Sequence, residues 1–189
     1  MSHFNSFVRI PALALRQRIR PLPRIGVLDE DCLAMRVRPL DIDFNLHLNN
    51  ARYLSLMDYG RMHLIAAIGA LDPALRARWM PLVGSIFITY RRSLNLFAPF
   101  TLASRILCWD EKWFYMEQVF RTPTTPGSDT DGLAAIAWVK GLFRAKTGNV
   151  APQQIVHLVA PGLASPLMPE SLAQWNTLTR EKLVQADGL

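Results

Sequence analysis

The run Asp41–Arg61, DIDFNLHLNNARYLSLMDYGR, decides how this chain is read. Its first half is polar and carries two carboxylates, Asp41 and Asp43, with His47 just beyond them. From Asn50, apolar residues recur at helical spacing: Tyr53, Leu54, Met57, then Leu64, Ile65 and Ile68. Asn49 or Asn50 suits the N-cap, where a side-chain oxygen accepts from an otherwise unpaired first-turn N–H. Gly69 suits the stop, because a helix end often needs a residue with positive φ. The spacing therefore predicts an ionisable loop feeding the N-terminus of a long amphipathic helix. Partial positive charge at that end favours developing negative charge. A carbonyl held there is polarised, and a neighbouring carboxylate can activate water.

Working outward, the period changes from helix to strand. Cys32–Arg38 (CLAMRVR) alternates as a first strand, followed by a polar loop from Pro39 to Asn49. After the long helix, a short one is predicted over Pro73–Trp79. Leu82–Leu94 and Phe100–Trp109 are rich in β-branched and aromatic residues and read as strands. Asp110–Lys112 makes a tight turn, and Trp113–Arg121 returns as the second arm of a hairpin. Thr122–Gly132 reads as an exposed, mobile loop, and Leu133–Ala145 as a strand covered on both faces. A final polar helix is predicted over Glu170–Gln185, held down by Leu172 and Trp175. One long helix with a run of antiparallel strands implies an α+β fold whose curved sheet wraps the helix. Exposed sheet edges imply pairing of copies.

The composition excludes several classes. The 189 residues suffice for one core, half of them are hydrophobic, and no window approaches about eighteen uncharged apolar residues, so no spanning helix is expected. The N-terminus lacks the unbroken apolar core of a signal peptide and is interrupted by Pro11, Pro21 and Pro23. It reads as a basic arm. Two cysteines, Cys32 and Cys108, make no disulfide framework and have no metal spacing; both are expected to be buried free thiols, consistent with the cytoplasm. The net charge of +6 suits an anionic partner. Nucleic acid is not expected, since no recognition helix, zinc knuckle or stacking-aromatic signature is visible. No phosphate loop, nucleophile elbow or metal cluster appears.

The stretch Val37–Tyr53, VRPLDIDFNLHLNNARY, resembles the hotdog-fold acyl-CoA thioesterases, in their 4-hydroxybenzoyl-CoA thioesterase-like branch. Tyr90–Leu94 (YRRSL), Trp109–Gln118 (WDEKWFYMEQ) and Lys140–Arg144 (KGLFR) look closer still to the thioesterase-superfamily-member-6-like proteins. The resemblance implies a curved antiparallel sheet wrapped around one central helix. It divides the chain into an arm (1–31), a hotdog domain (32–152) and a tail with a helix (153–189). It implies hydrolysis of an acyl-CoA by a homodimer or dimer of dimers, with no cofactor. The alternative is a hotdog protein that binds acyl-CoA or lipid without turnover.

By this resemblance Asp43 is the catalytic carboxylate, as base or nucleophile; on spacing alone it is equally an Asx turn. Asp41, two residues earlier, would point the other way in extended backbone and reads as structural, paired with an Arg. His47 would orient the carboxylate or touch the carbonyl, or simply hydrogen-bond within the loop. Asn49 and Asn50 cap the helix, and the carbonyl donor falls near Asn50 or Ala51. Tyr53 matches a family position near the site, whereas Met57 reads as core. Arg91 and Arg92 suit coenzyme A phosphates or a solvated strand end. Asp58 and Arg61 read as a helix-surface pair or a dimer contact. His63 and His157 carry no motif. Leu46 stands where the family usually has Gly. Because Leu enters positive φ only at a cost, the loop is expected to take a different shape.

Overall fold

The computed structural model describes residues 12, 13, 15, 19–123 and 132–187. The first eleven residues of the N-terminal arm, and most of the loop read as mobile before Gly132, lie outside them. The elements are β1 (Asp31–Arg36), a 3-10 turn (Pro39–Asp41), α1 (Asn50–Ala67), α2 (Leu71–Arg76), β2 (Met80–Tyr90), β3 (Pro99–Trp109), β4 (Phe114–Arg121), β5 (Leu133–Ala145), β6 (Gly148–Val150), α3 (Pro152–Val159) and α4 (Glu170–Asp187). All pairings are antiparallel, in the order β1-β3-β4-β5-β2, with β6 pairing the end of β5.

One face of the sheet holds α1. Leu102, Ile106, Met116, Phe120 and Val139 meet Met57, Leu64 and Ile65 in a single core. Helix and sheet approach closely at Gly60, where an added Cβ would stand 2.8 Å from Leu102 and 3.0 Å from Gln118. A larger residue there would require the Leu102 methyl and the Gln118 amide to shift. The opposite face carries α4: Leu172 packs on Cys108 and Tyr115, and Trp175 meets Trp138. β5 is thus covered on both faces, which explains its nearly continuous apolar run.

Several expectations are corrected. Arg61 is not on the helix surface. It is 5% exposed, turned toward the sheet, and donates from Nη1 to Gln118 Oε1 at 2.7 Å while pairing with Asp58. Burial lowers its pKa, opposed by Asp58. Cys108 is buried but Cys32 is exposed. Its neighbour Asp31 takes the inward direction, 2.7 Å from His63 Nδ1, so alternation turns Cys32 outward. The second helix begins at Leu71 rather than Pro73, and β2 runs Met80–Tyr90 rather than Leu82–Leu94, because Arg91 and Arg92 leave the ladder to bond Ala134 O.

Candidate active site

The loop before α1 is a miniature hairpin. Ile42 bridges Leu48, and Asp43 N–H donates to His47 O at 2.9 Å. His47 also bridges Asn95, and Leu48 N–H donates to Leu94 O at 2.8 Å, which ties the hairpin to the β2–β3 connection. Leu46 sits at the tip with φ 61°, so the loop keeps a left-handed residue despite the missing glycine. The side chain points to solvent, and backbone bonds from Leu46 N to Asp43 O and from Leu96 N to Leu46 O fix the turn.

Within this hairpin Asp43 Oδ1 accepts from Asn45 N at 2.9 Å and His47 N at 3.4 Å. Asp43 Oδ2 has no donor among the described residues. The Asx turn and a free carboxylate oxygen therefore coexist in one side chain. Asp41 is largely buried, accepts from Arg38 N at 3.3 Å and lies 3.6 Å from Arg52 Nε, the pairing with an Arg that its spacing suggested. Asn49 is the N-cap of α1: its Oδ1 accepts from Ala51 N at 2.9 Å. That bond engages one of the two predicted carbonyl donors and leaves the Asn50 N–H with no acceptor among the described residues.

Asp43, His47, Asn50, Tyr53, Arg91 and Arg92 line one cleft of about 270 Å³, with Leu48, Tyr90 and Ser93. The first three come from the hairpin and helix start, and the arginines from the end of β2. Tyr53 forms the floor, edge-on to Tyr90 (5.0 Å) and Phe120 (4.8 Å). Burial pushes its phenol up to about 12, with Tyr90 adding to the effect, so it stays neutral at physiological pH. Met57 is core, and Tyr59 lies against His63, away from the cleft. Sequence reading missed Tyr90, whose signal was its place directly before Arg91. A second, apolar cavity of about 260 Å³ lies under the C-terminal half of α1, between Ile65, Ile106, Met116 and the Pro81–Val83 end of β2. Asp58 and Arg61 stand on its wall. It shares no lining residue with the cleft.

A carboxylate with a free oxygen and an open helix N-terminus lining one cleft are the groups that carbonyl chemistry uses. The thioesterase-like superfamily model matches residues 37–176. The chain belongs to that superfamily. Protein THEM6 of Xenopus laevis is 30% identical over 89% of this chain and 77% of its own length. Its Danio rerio counterpart is 36% identical over 81% and 72%. Among solved structures, the YbaW probable thioesterase of Escherichia coli is 22% identical with a TM-score of 0.59, over 69% of this chain and 96% of its own. A mutant 4-hydroxybenzoyl CoA thioesterase complexed with 4-hydroxybenzoyl CoA superposes with a TM-score of 0.61 at 16% identity, over 69% and 99%. The fold is the hotdog fold, and membership supports acyl-thioester hydrolysis. No helix among the described residues is long and apolar enough to cross a membrane.

Proposed function

We propose that this protein hydrolyses acyl-CoA thioesters as a homodimer, with Asp43 as the reacting carboxylate. The observation that carries the reading is that Asp43, with one free carboxylate oxygen, and Asn50, at the start of α1, line the same cleft. The thioester oxygen points at Asn50 N–H, where the helix dipole stabilises negative charge. Asp43 takes a proton from the water that attacks the carbonyl carbon, or attacks it directly to form an anhydride that water then opens. The C–S bond breaks, the thiolate leaves and is protonated, and a carboxylic acid remains. His47 supports the carboxylate through its backbone N–H. Arg91 and Arg92 at the cleft rim hold the phosphates of coenzyme A. A neighbour crystallised with a CoA ester makes CoA esters the first substrates to test. The free thiols suit a reducing compartment such as the cytoplasm.

The support for a dimer is β2. It is a sheet edge of eleven residues with no charge, and Met80, Leu82, Val83, Phe87 and Tyr90 are all exposed. Such an edge needs covering. β1, the other edge, is six residues long and carries Asp31 and Arg36. Antiparallel pairing of β2 with its own copy sets the Pro81–Val83 end beside the partner's Tyr90. The apolar cavity of one protomer then lies next to the cleft of the other, and we place the acyl group there. Thiol release from short, medium, long and aromatic acyl-CoAs tests the reading. Release from at least one supports it. No release from any, with acyl-CoA still raising the melting temperature, leaves a binding protein instead.

A further inference from the structure

α4 reaches farther than the sheet it packs on. Its inner stripe begins with Leu172 over Cys108 of β3 and Tyr115 of β4. One turn later Trp175 touches Trp138 of β5, and Asn176 accepts from Lys140 of β5. Those contacts run along one cross-strand row, Cys108–Tyr115–Lys140–Ser85, so the helix crosses the strands toward β2. Strands lie about 4.8 Å apart, and Leu172 packs on both β3 and β4, so β2 lies about two and a half spacings, roughly 12 Å, from Leu172. At 1.5 Å per residue the helix covers that distance in about eight residues, at Arg180. Everything after it overhangs the free edge. Leu183 stands about one strand spacing past β2, where the next strand of an extended sheet would lie.

The overhang is still patterned for packing. Leu183 follows Leu172 by about three full turns and faces the same way, and Ala186 continues the stripe. Yet Leu183 is 62% exposed, with little cover from the described residues. Phe87, on the outer face of β2 beside Trp138, is likewise 50% exposed. An inward stripe that continues past an uncharged, unpaired strand fits an occupant that prolongs this sheet.

We propose that the last two turns of α4 clasp a second copy of the chain, Leu183 and Ala186 packing on the outer face of the partner's sheet at a β2-to-β2 junction. Two-fold symmetry gives two such arms, one from each protomer. This rests on the homodimer of the proposed function, and adds a contact that depends on the C-terminal helix rather than on the edge strand.

Sedimentation of the full chain across a dilution series, with amide exchange on Met80–Tyr90, tests it. The variants are Leu183→Glu and Val184→Glu, the latter about 120° around the helix from the stripe. The clasp predicts a dimer with protected β2 amides, weakened about ten-fold or more by Leu183→Glu and within about two-fold of wild type for Val184→Glu. A dimer indifferent to Leu183→Glu, or a chain monomeric throughout, overturns it. Thiol release on the same samples reads the hydrolase separately. Activity with an unaffected dimer sinks the clasp alone, and a weakened dimer without activity sinks the hydrolase alone.

Discussion

Arg61 and Gln118 join the central helix to the sheet through a hydrogen bond of 2.7 Å, out of reach of water. Gln118 is fully buried and also donates from Nε2 to Met57 O at 3.0 Å and Ser104 Oγ at 2.9 Å. The amide satisfies the guanidinium, a helix carbonyl and a strand hydroxyl at once. Gln118→Leu keeps the volume and takes a buried partner from all three, with Arg61 left to its pairing with Asp58. The expected cost is about 2–3 kcal/mol, read as a lowered urea midpoint with unchanged slope. Stability within about 0.5 kcal/mol of wild type would show that the network contributes nothing net.

Leu46 makes a second prediction, in the opposite direction. A side chain at φ 61° costs roughly 1–2 kcal/mol; glycine removes that cost, a gain offset in part because glycine is more flexible when unfolded. Leu46 is exposed and gives up little burial. Leu46→Gly is therefore expected to match or slightly exceed wild-type stability and to keep activity. Leu46→Val, β-branched, is expected to destabilise the hairpin and lower activity with it. If Val is tolerated as well as Gly, the left-handed turn does not constrain the loop.

The long elements were legible in the sequence because their periods are strong. Leu133–Ala145 follows from its nearly continuous apolar run, Phe100–Trp109 from its β-branched and aromatic residues, and Asn50–Ala67 from its spacing and the Asn49 cap. What was lost needs partners far along the chain. Arg61 looked like half of a surface pair because Asp58 is three residues away, while Gln118, which holds it inside, is 57 away. β6 is three residues long and exists only as the return of β5, and α3 is a short helix that starts at Pro152, for which no boundary was expected. For the site, the motif named Asp43 and Asn50. It could not show that the cap takes the Ala51 N–H, or that Tyr90 closes the cleft over Tyr53.

The thiols give a pH-dependent prediction. Burial, with Asp110 nearby, pushes the Cys108 thiol up from 9.0 to about 11. The folded chain keeps that proton when the unfolded chain has released it. The contribution is complete below pH 9 and is lost as pH rises through about 11. Tyr53 behaves likewise between 10 and about 12. Urea midpoints should fall across this range, and Cys108→Ala should flatten the part between pH 9 and 11. At pH 8, Cys32 should react with a disulfide reagent in the native protein, slowed because burial and Glu30 raise its pKa. Cys108 should react only on unfolding. Two fast native thiols would contradict the packing of α4 over Cys108.

Asp43 separates structure from chemistry in one substitution. Its Oδ1 holds the hairpin through the N–H groups of Asn45 and His47, and an asparagine carbonyl can accept the same two bonds. What asparagine cannot supply is the second oxygen as base or nucleophile. Asp43→Asn is therefore expected to melt within about 3 °C of wild type. It should lose thiol release by about two to four orders of magnitude. Asp43→Ala removes both roles and should also loosen the hairpin. The nearest substitute carboxylate, Asp41, is buried against Arg52 and Arg38 and cannot turn to the cleft without breaking that pairing. If Asp43→Asn keeps turnover within a few-fold of wild type, the aspartate serves only the Asx turn. Catalysis would then have to come from outside the hairpin.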